Sequence, residues 1–403
     1  MKIISLSFKY LWSRPLAAAL NVLLLALGVA SITLVLLVSS QIDHAFERDL
    51  KGIDVVVGTK GSPMQLILAG VFHIDTPAGN IPLAEVTALQ KDPRVAKLIP
   101  LSLGDSFRGF RIVGTTADYV THFDATLASG VMWKLPLEAV IGAEVSKNTG
   151  LQSGNSFIGS HGLGTEGHAH GNTPYQVTGV LAPCSCVLDK LILTATESVW
   201  RVHEKAIEGD TPLDAEDKKA IEGDREVTMA LIRYSSPLAA VTFPRFVNTT
   251  TNMQAAAPAI EITRLLRMVG VGTDVLRGFG AVLLLTAGLS VFIALWNAVR
   301  ERRADIAMLR MLGASPQKVA GLLVCEALWL ALLASVLGLF FGHLLTGAVG
   351  YLLQAEKSLP VTGFIWLVEE WAIPVAAAVV AVLAALLPAV AAYRVDVQSL
   401  LKA

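Results

Sequence analysis

Four long apolar runs, each uninterrupted by more than an isolated polar residue, set the frame into which the rest of the chain must fit. They are Leu16 to Val38, Phe279 to Val299, Val319 to roughly Tyr351, and Trp371 to Tyr393. A helix needs about 20 residues to cross a bilayer core, so each run is predicted as a transmembrane helix. The first run stays apolar through its far end, and no small-residue cleavage site follows it, so it reads as a retained helix and not a signal peptide. Composition agrees with this. The chain is 53% hydrophobic and 16% charged, against about 25% charged in ordinary soluble domains.

Lys and Arg near helix ends predict orientation. The segment before the first run, the one between the second and third, and the one after the fourth together hold ten basic and three acidic residues. The loop between the third and fourth runs has Lys357 against Glu356, Glu369 and Glu370. Both termini are therefore expected in the cytoplasm. The stretch between the first two runs, with 21 basic and 26 acidic residues, is expected outside. This charge distribution does not suggest nucleic-acid binding.

The expected organisation is 1–40 for the N-terminal segment and first helix, 41–278 for the external domain, and 279–403 for a membrane domain with three further helices. The fold class is an α-helical membrane protein with four transmembrane helices and a mixed α/β extracytoplasmic domain between the first and second. Within that domain, Ile53–Val57, Phe110–Val113, Ala139–Ile141, Tyr175–Leu181, Leu191–Thr194 and Val227–Ile232 have the short apolar or alternating pattern of strands. Leu83–Gln90 reads as a helix stopped by Asp92 and Pro93, and Glu144–Gly150 as one ending at a glycine. Leu238–Asn252 and Ile260–Val275 read as helices, and Glu204–Arg225 as a charged, solvated helical insertion.

Between the second and third runs lies a charged elbow, residues 300–316, too short and too polar to span. Ile306, Met308, Leu309 and Leu312 fall at helical spacings and form an apolar side, while Arg302, Arg303 and Arg310 can pair with a partner's acidic groups or anchor to lipid heads. No P-loop of the form Gly-x-x-x-x-Gly-Lys-Ser/Thr occurs, and Gly58-Thr59-Lys60-Gly61-Ser62 reads as a turn. A Gly-x-Ser-x-Gly elbow and a His-Glu-x-x-His helix are also missing, which argues against a hydrolase. In the third run Gly338 and Gly342 share one helix face and suit close helix packing, within the chain or across a dimer. Glu326 and His343 read as packing residues with partners still to be found.

Outside, Ser160 to Gly171 is a glycine-rich loop holding His161, His168 and His170, with Glu166 between them, and Cys184-Ser185-Cys186 follows. These residues can supply ligands to Zn²⁺ or copper. The alternative is a solvated loop beside two small cysteines, which can also form a disulfide in an oxidising compartment.

Residues Glu301 to Ala314 resemble the Glu-Arg-x-x-Glu-Ile-x-x-Leu-Arg-x-Leu-Gly-Ala motif of the FtsX/MacB family of ABC transporter permeases, with Asp305 at the usual glutamate. Pro388 to Val397 is similar to the family's closing Pro-Ala pattern, with Val397 where proline is common. Ala139–Glu144 with Gly150–Asn155 resembles an external strand-helix-Gly-Asp segment. The resemblance implies a non-catalytic permease subunit in the bacterial inner membrane, with the large domain periplasmic. It implies a homodimer working with a cytoplasmic ABC ATPase dimer, and ATP and Mg²⁺ bound in that partner. The expected ATPase-coupling residues are Glu301, Arg302, Arg303, Asp305, Ile306, Leu309, Arg310, Leu312 and Gly313. ATP-driven closure would move the external domains by mechanotransmission, to export or extract a lipoprotein, lipid, peptide or small hydrophobic cargo. A periplasmic binding or adaptor protein and membrane lipid are further expected partners. Two other readings fit the same plan: a signalling scaffold that activates an external partner, and metal-linked transport through the histidine loop.

Overall fold

The computed structural model describes residues 3–13, 15–162, 173–208, 222–355 and 361–394. Two helices open the chain, α1 (Ile3–Leu11) and α2 (Pro15–Leu50). The α/β part follows with β1 (Val55–Thr59), α3 (Pro63–Gly70), β2 (Ile81–Pro82), α4 (Leu83–Gln90), β3 (Val95–Phe107), β4 (Phe110–Thr115), α5 (Ala117–His122), β5 (Leu127–Gly130), β6 (Glu138–Ile141) and α6 (Ala143–Thr149). It continues with β7 (Ser156–Phe157), β8 (Ser160–His161), β9 (Tyr175–Leu181), β10 (Leu191–Ala195), α7 (Thr196–Glu208), β11 (Glu226–Val227), β12 (Met229–Tyr234), α8 (Ala239–Thr250) and β13 (Met253–Ala256). Four helices close the described chain: α9 (Pro258–Glu301), α10 (Arg303–Met311), α11 (Pro316–Ala355) and α12 (Ala372–Tyr393). These elements form two units, 1–43 with 268–403, and 44–267.

In the α/β unit the main sheet runs β13-β1-β12-β3-β4-β10-β6-β9-β5, with β7 on β9 and β8 on β3. The organising element is β3, which the sequence reading passed over. Pro100 and Gly104 interrupt its pattern, and proline belongs on edges and not in central ladders. The structure accommodates both. Residues 95–101 pair with β12, and pairing to β4 begins only at Ser102. Pro100 therefore lies where β3 has β12 on one side and has not yet met β4. The register to β4 shifts between Leu103 and Ser106, around Gly104. Two buried clusters fill the unit, one around Val55, Val86, Ile232 and Phe243, the other around Ile112, Ile141, Val177 and Ile192. β9 alternates buried and less buried residues along its length, as a strand with one face on a core must.

Among the described residues of the other unit, four helices are long and apolar enough to cross a membrane: Pro15–Leu50, Asp274–Glu301, Pro316–Leu352 and Val368–Tyr393. Without water to drive association, helices in lipid pack through small residues. Gly338 lies against α2, where an added Cβ would meet the Val29 Cβ at 2.5 Å and the Ala26 carbonyl at 2.8 Å. Gly342 lies one turn further on against Thr33. Both glycines thus pack within the chain. Ala377, Ala381 and Ala385 form a fully buried stripe on α12, and Ser290 donates to Asn21 across the α9–α2 contact at 2.7 Å. Leu285, Leu289, Val336, Phe340 and Leu383 stay more than half exposed, the surface a bilayer would cover.

Candidate functional site

The charged elbow is α10, and its two ends are fixed by local chemistry. The chain leaves α9 at Arg302, whose φ of −95° and ψ of 21° interrupt the helix. At the far end Gly313 adopts φ +91°, the left-handed conformation that glycine takes without steric cost. The Gly313 N–H donates to the Arg310 carbonyl at 3.1 Å and the Ala314 N–H to the Leu309 carbonyl at 3.0 Å. This pair of bonds is the Schellman ending of a helix. Ser315 and Pro316 then start α11, with the Ser315 carbonyl accepting from Lys318 at 3.0 Å and proline at the first helical position, where no N–H is needed. Leu-Gly-Ala-Ser-Pro is thus a stop and a start written in consecutive residues.

The faces of α10 differ sharply. Ile306 and Ala307 are buried, and Ile306 joins the core with Val299, Val319 and Leu323. Met308 and Met311 are each 55% exposed and Leu312 is 82% exposed. Glu301, Ala304 and Asp305 are also exposed, while Leu309 and Arg310 are half-buried. The sequence reading placed Ile306, Met308, Leu309 and Leu312 on one apolar side. The structure divides them, with Ile306 holding the elbow to the helices and Met308, Met311 and Leu312 pointing away. Arg303 is the first residue of α10.

Arg302 is a correction to the expectation of an arginine reaching outward. Its side chain is only 15% exposed and lies 3.7 Å from the Glu326 carboxylate. It donates to the Tyr10 carbonyl at 3.2 Å and to the Ser13 hydroxyl at 2.7 Å. Its guanidinium also sits 4.7 Å from the centroid of the Tyr10 ring. A planar fork with five donors can satisfy several acceptors in different directions at once. One side chain therefore joins α1, the elbow and α11. Glu326 is the acid of this cluster, and Tyr10 and Ser13 are members that no sequence motif announced.

At the opposite end of the same unit, the Gln41 side-chain amide bonds Thr362 twice, accepting from its N–H at 2.8 Å and donating to its carbonyl at 3.0 Å. His343 is held between the Gly363 carbonyl at 2.8 Å and Glu370 at 2.8 Å. The Trp366 ring packs on the imidazole at 4.2 Å between centroids.

In the α/β unit, Cys184 and Cys186 form a disulfide, so of the two alternatives left by the sequence the pair takes the oxidised one, in which neither sulfur is a thiolate ligand. His161 sits on β8 opposite Asp105 of β3, with its Nδ1 3.0 Å from the Asp105 carboxylate. His168 and His170 lie outside the described residues, as does Glu166. Among the described residues no three His, Cys, Asp or Glu side chains gather as a metal site.

The four spans, the clasped elbow and the α/β unit inserted after the first span define an integral-membrane permease architecture. Residues 277–397 match the family model of the FtsX-like permease C-terminal domain, and residues 18–218 match that of the MacB-like periplasmic core domain. The chain belongs to the FtsX/MacB-like family of ABC transporter permeases. Its helices and core domain fit an inner-membrane protein with a periplasmic domain. Among solved structures it is similar to the periplasmic region of MacB from Actinobacillus actinomycetemcomitans, at 11% identity over 54% of this chain and 95% of that one, with a TM-score of 0.35. It is also similar to the extracellular domain of the ABC-type transporter YknZ from Gram-positive bacteria, at 11% identity over 50% of this chain and 98% of that one, with a TM-score of 0.30. No curated protein matches the chain.

Proposed function

We propose that this chain is the non-catalytic permease subunit of an ABC transporter of the mechanotransmission type. A separate cytoplasmic ATPase supplies ATP hydrolysis, with ATP and Mg²⁺ bound there. Two copies of the chain pair with two ATPases, and closure of the motors moves the periplasmic units to export or extract a lipoprotein, lipid, peptide or small hydrophobic cargo. The observation that carries this reading is the exposed Met308–Met311–Leu312 face on a helix whose other face is buried and whose N-cap residue, Arg302, is clasped. Exposed apolar residues ringed by charge suit a docking surface, and a helix anchored on its far side can transmit the motion of whatever grips it. The basic bias of the termini and elbow supports a cytoplasmic position for this face. Native mass spectrometry of the full chain, gently extracted from its own membrane, is expected to show two permeases with two ATPases. A particle holding this chain with an external enzyme and no ATPase would reject the reading in favour of a signalling scaffold.

A second reading adds metal to the cargo or its regulation, and the His161–Asp105 pair favours it. A buried carboxylate bonded to one imidazole nitrogen is the usual way a metal-binding histidine is oriented, and two further histidines follow within ten residues. Elemental analysis of the full chain, purified without a polyhistidine tag, is expected to find about one zinc per chain. The variant combining His161→Ala, His168→Ala and His170→Ala is expected to lose it. A wild-type protein without metal after exposure to zinc ends this reading.

A further inference from the structure

α1 has an apolar stripe that the protein does not bury. Ser7 and Leu11 face inward, whereas Ile4 and Phe8, with Trp12 just past the helix end, are 62%, 38% and 58% exposed. The helix is nonetheless fixed in place. Trp329 of α11 donates its indole N–H to the Ile4 carbonyl at 3.4 Å, and its ring meets Phe8 edge-on at 5.1 Å. Between the two helices lies an open groove of about 410 Å³ lined by Ile4, Ser5, Phe8, Lys9 and Trp329.

The chemistry of this groove is two-ended. Lys9 and the Ser5 hydroxyl offer a cation and a donor, and the rest of the lining is aliphatic and aromatic. From Trp329 the exposed face of α11 continues through Leu328, Leu332 and Val336, at one-turn spacing along a membrane span. A protein partner at the membrane surface would leave that strip uncovered. An amphiphile with one anionic head and long apolar tails covers both ends. The segment before the first span contains Lys2, Lys9 and Arg14 and no acidic residue, so the head favoured there is negative.

We propose that the α1–α11 groove binds one anionic phospholipid from the leaflet on the elbow's side. The head sits at Lys9 and Ser5, and the acyl chains lie over Phe8 and Trp329 and down the α11 strip. This assignment requires only that α11 crosses the bilayer and stands whether or not an ATPase docks on α10. The groove adjoins the elbow, since Arg302 holds Tyr10, the residue after Lys9.

The test is lipid add-back to the full chain after delipidation in mild detergent, read by native mass spectrometry. Phosphatidylglycerol and zwitterionic phosphatidylcholine serve as competing probes. One phosphatidylglycerol per chain is expected to persist where phosphatidylcholine is stripped. Lys9→Gln should lower the preference between the two about fivefold, the effect of one surface cation on an anionic lipid. Phe8→Ala should weaken both, and Leu383→Ala on the exposed face of α12 should change neither. Equal retention of both lipids by the wild-type chain, or a preference unchanged by Lys9→Gln, would overturn the assignment. Because Lys9 is exposed, its variant folds even if Phe8→Ala does not, and it decides the matter alone.

Discussion

A chain carrying Met308→Glu and Leu312→Glu together is expected to insert and fold normally and yet to lose the proposed ATPase partner. Both side chains are more than half exposed and one turn apart on the outer face of α10. Surface substitutions of this kind ordinarily change stability by no more than about 0.5 kcal/mol, so the membrane unit itself should tolerate them. Docking should not. Central apolar anchors of an interface are worth about 2 kcal/mol or more each, and here each is replaced by a charge that must be desolvated against the partner. Two such losses weaken association by about a thousandfold, enough to empty a complex during purification. The contrasting variant is Ile306→Glu, which places a charge in the core beside Val319 and Leu323 and should lower the yield of folded protein instead. Affinity capture of the tagged chain from its own membrane reads both. If the Met308→Glu, Leu312→Glu chain still brings down an ATPase in wild-type amount, the outer face of α10 is not the docking surface.

Much of this was legible before any coordinates, and the reasons are specific. The four spans follow from run length alone, because about 20 apolar residues have few other stable arrangements. The extent of the elbow, residues 300–316, was legible too, and its end follows local rules, since glycine, serine and proline each act through their own backbone. Gly313 at φ +91° and the Ser315–Pro316 start involve only neighbours in sequence. What the sequence concealed is the direction of side chains whose partners are remote. Arg302 looks like its neighbours Arg300 and Arg303, and only the fold brings Tyr10 to it, 292 residues away in the chain. Asp105 carries no signal marking it as the partner of His161. β3 was missed because Pro100 and Gly104 are rare in central strands, and the change of partner that admits them is a property of the whole sheet. α1 was missed because nine residues beside a longer apolar run produce no separate pattern.

Arg302→Met is expected to loosen the elbow, because the arginine ties it to Tyr10, Ser13 and Glu326 of its own chain. The substitution removes donors to the Tyr10 carbonyl and the Ser13 hydroxyl and takes one cation from beside the Glu326 carboxylate, which is 6% exposed. Breaking a well-buried ion pair costs about 3–5 kcal/mol. The 3.7 Å separation here is long, and Arg302 keeps partial access to water, so about 2 kcal/mol is the expected loss, read as a fall in the melting temperature of the detergent-solubilised chain. Arg302→Lys should fall between, because an ammonium keeps the charge but cannot fork toward three acceptors. The decisive comparison is the double variant Arg302→Met with Glu326→Met. Removing the buried acid along with its cation eliminates the desolvation penalty, so the pair should be more stable than Arg302→Met alone. It should nevertheless remain defective in ATPase stimulation by cargo or by closure, because α1 and the elbow are still unclasped. A double variant no more stable than the single one would show that Glu326 is not the charge Arg302 answers. A double variant with full coupling would show that the clasp contributes to folding and not to transmission.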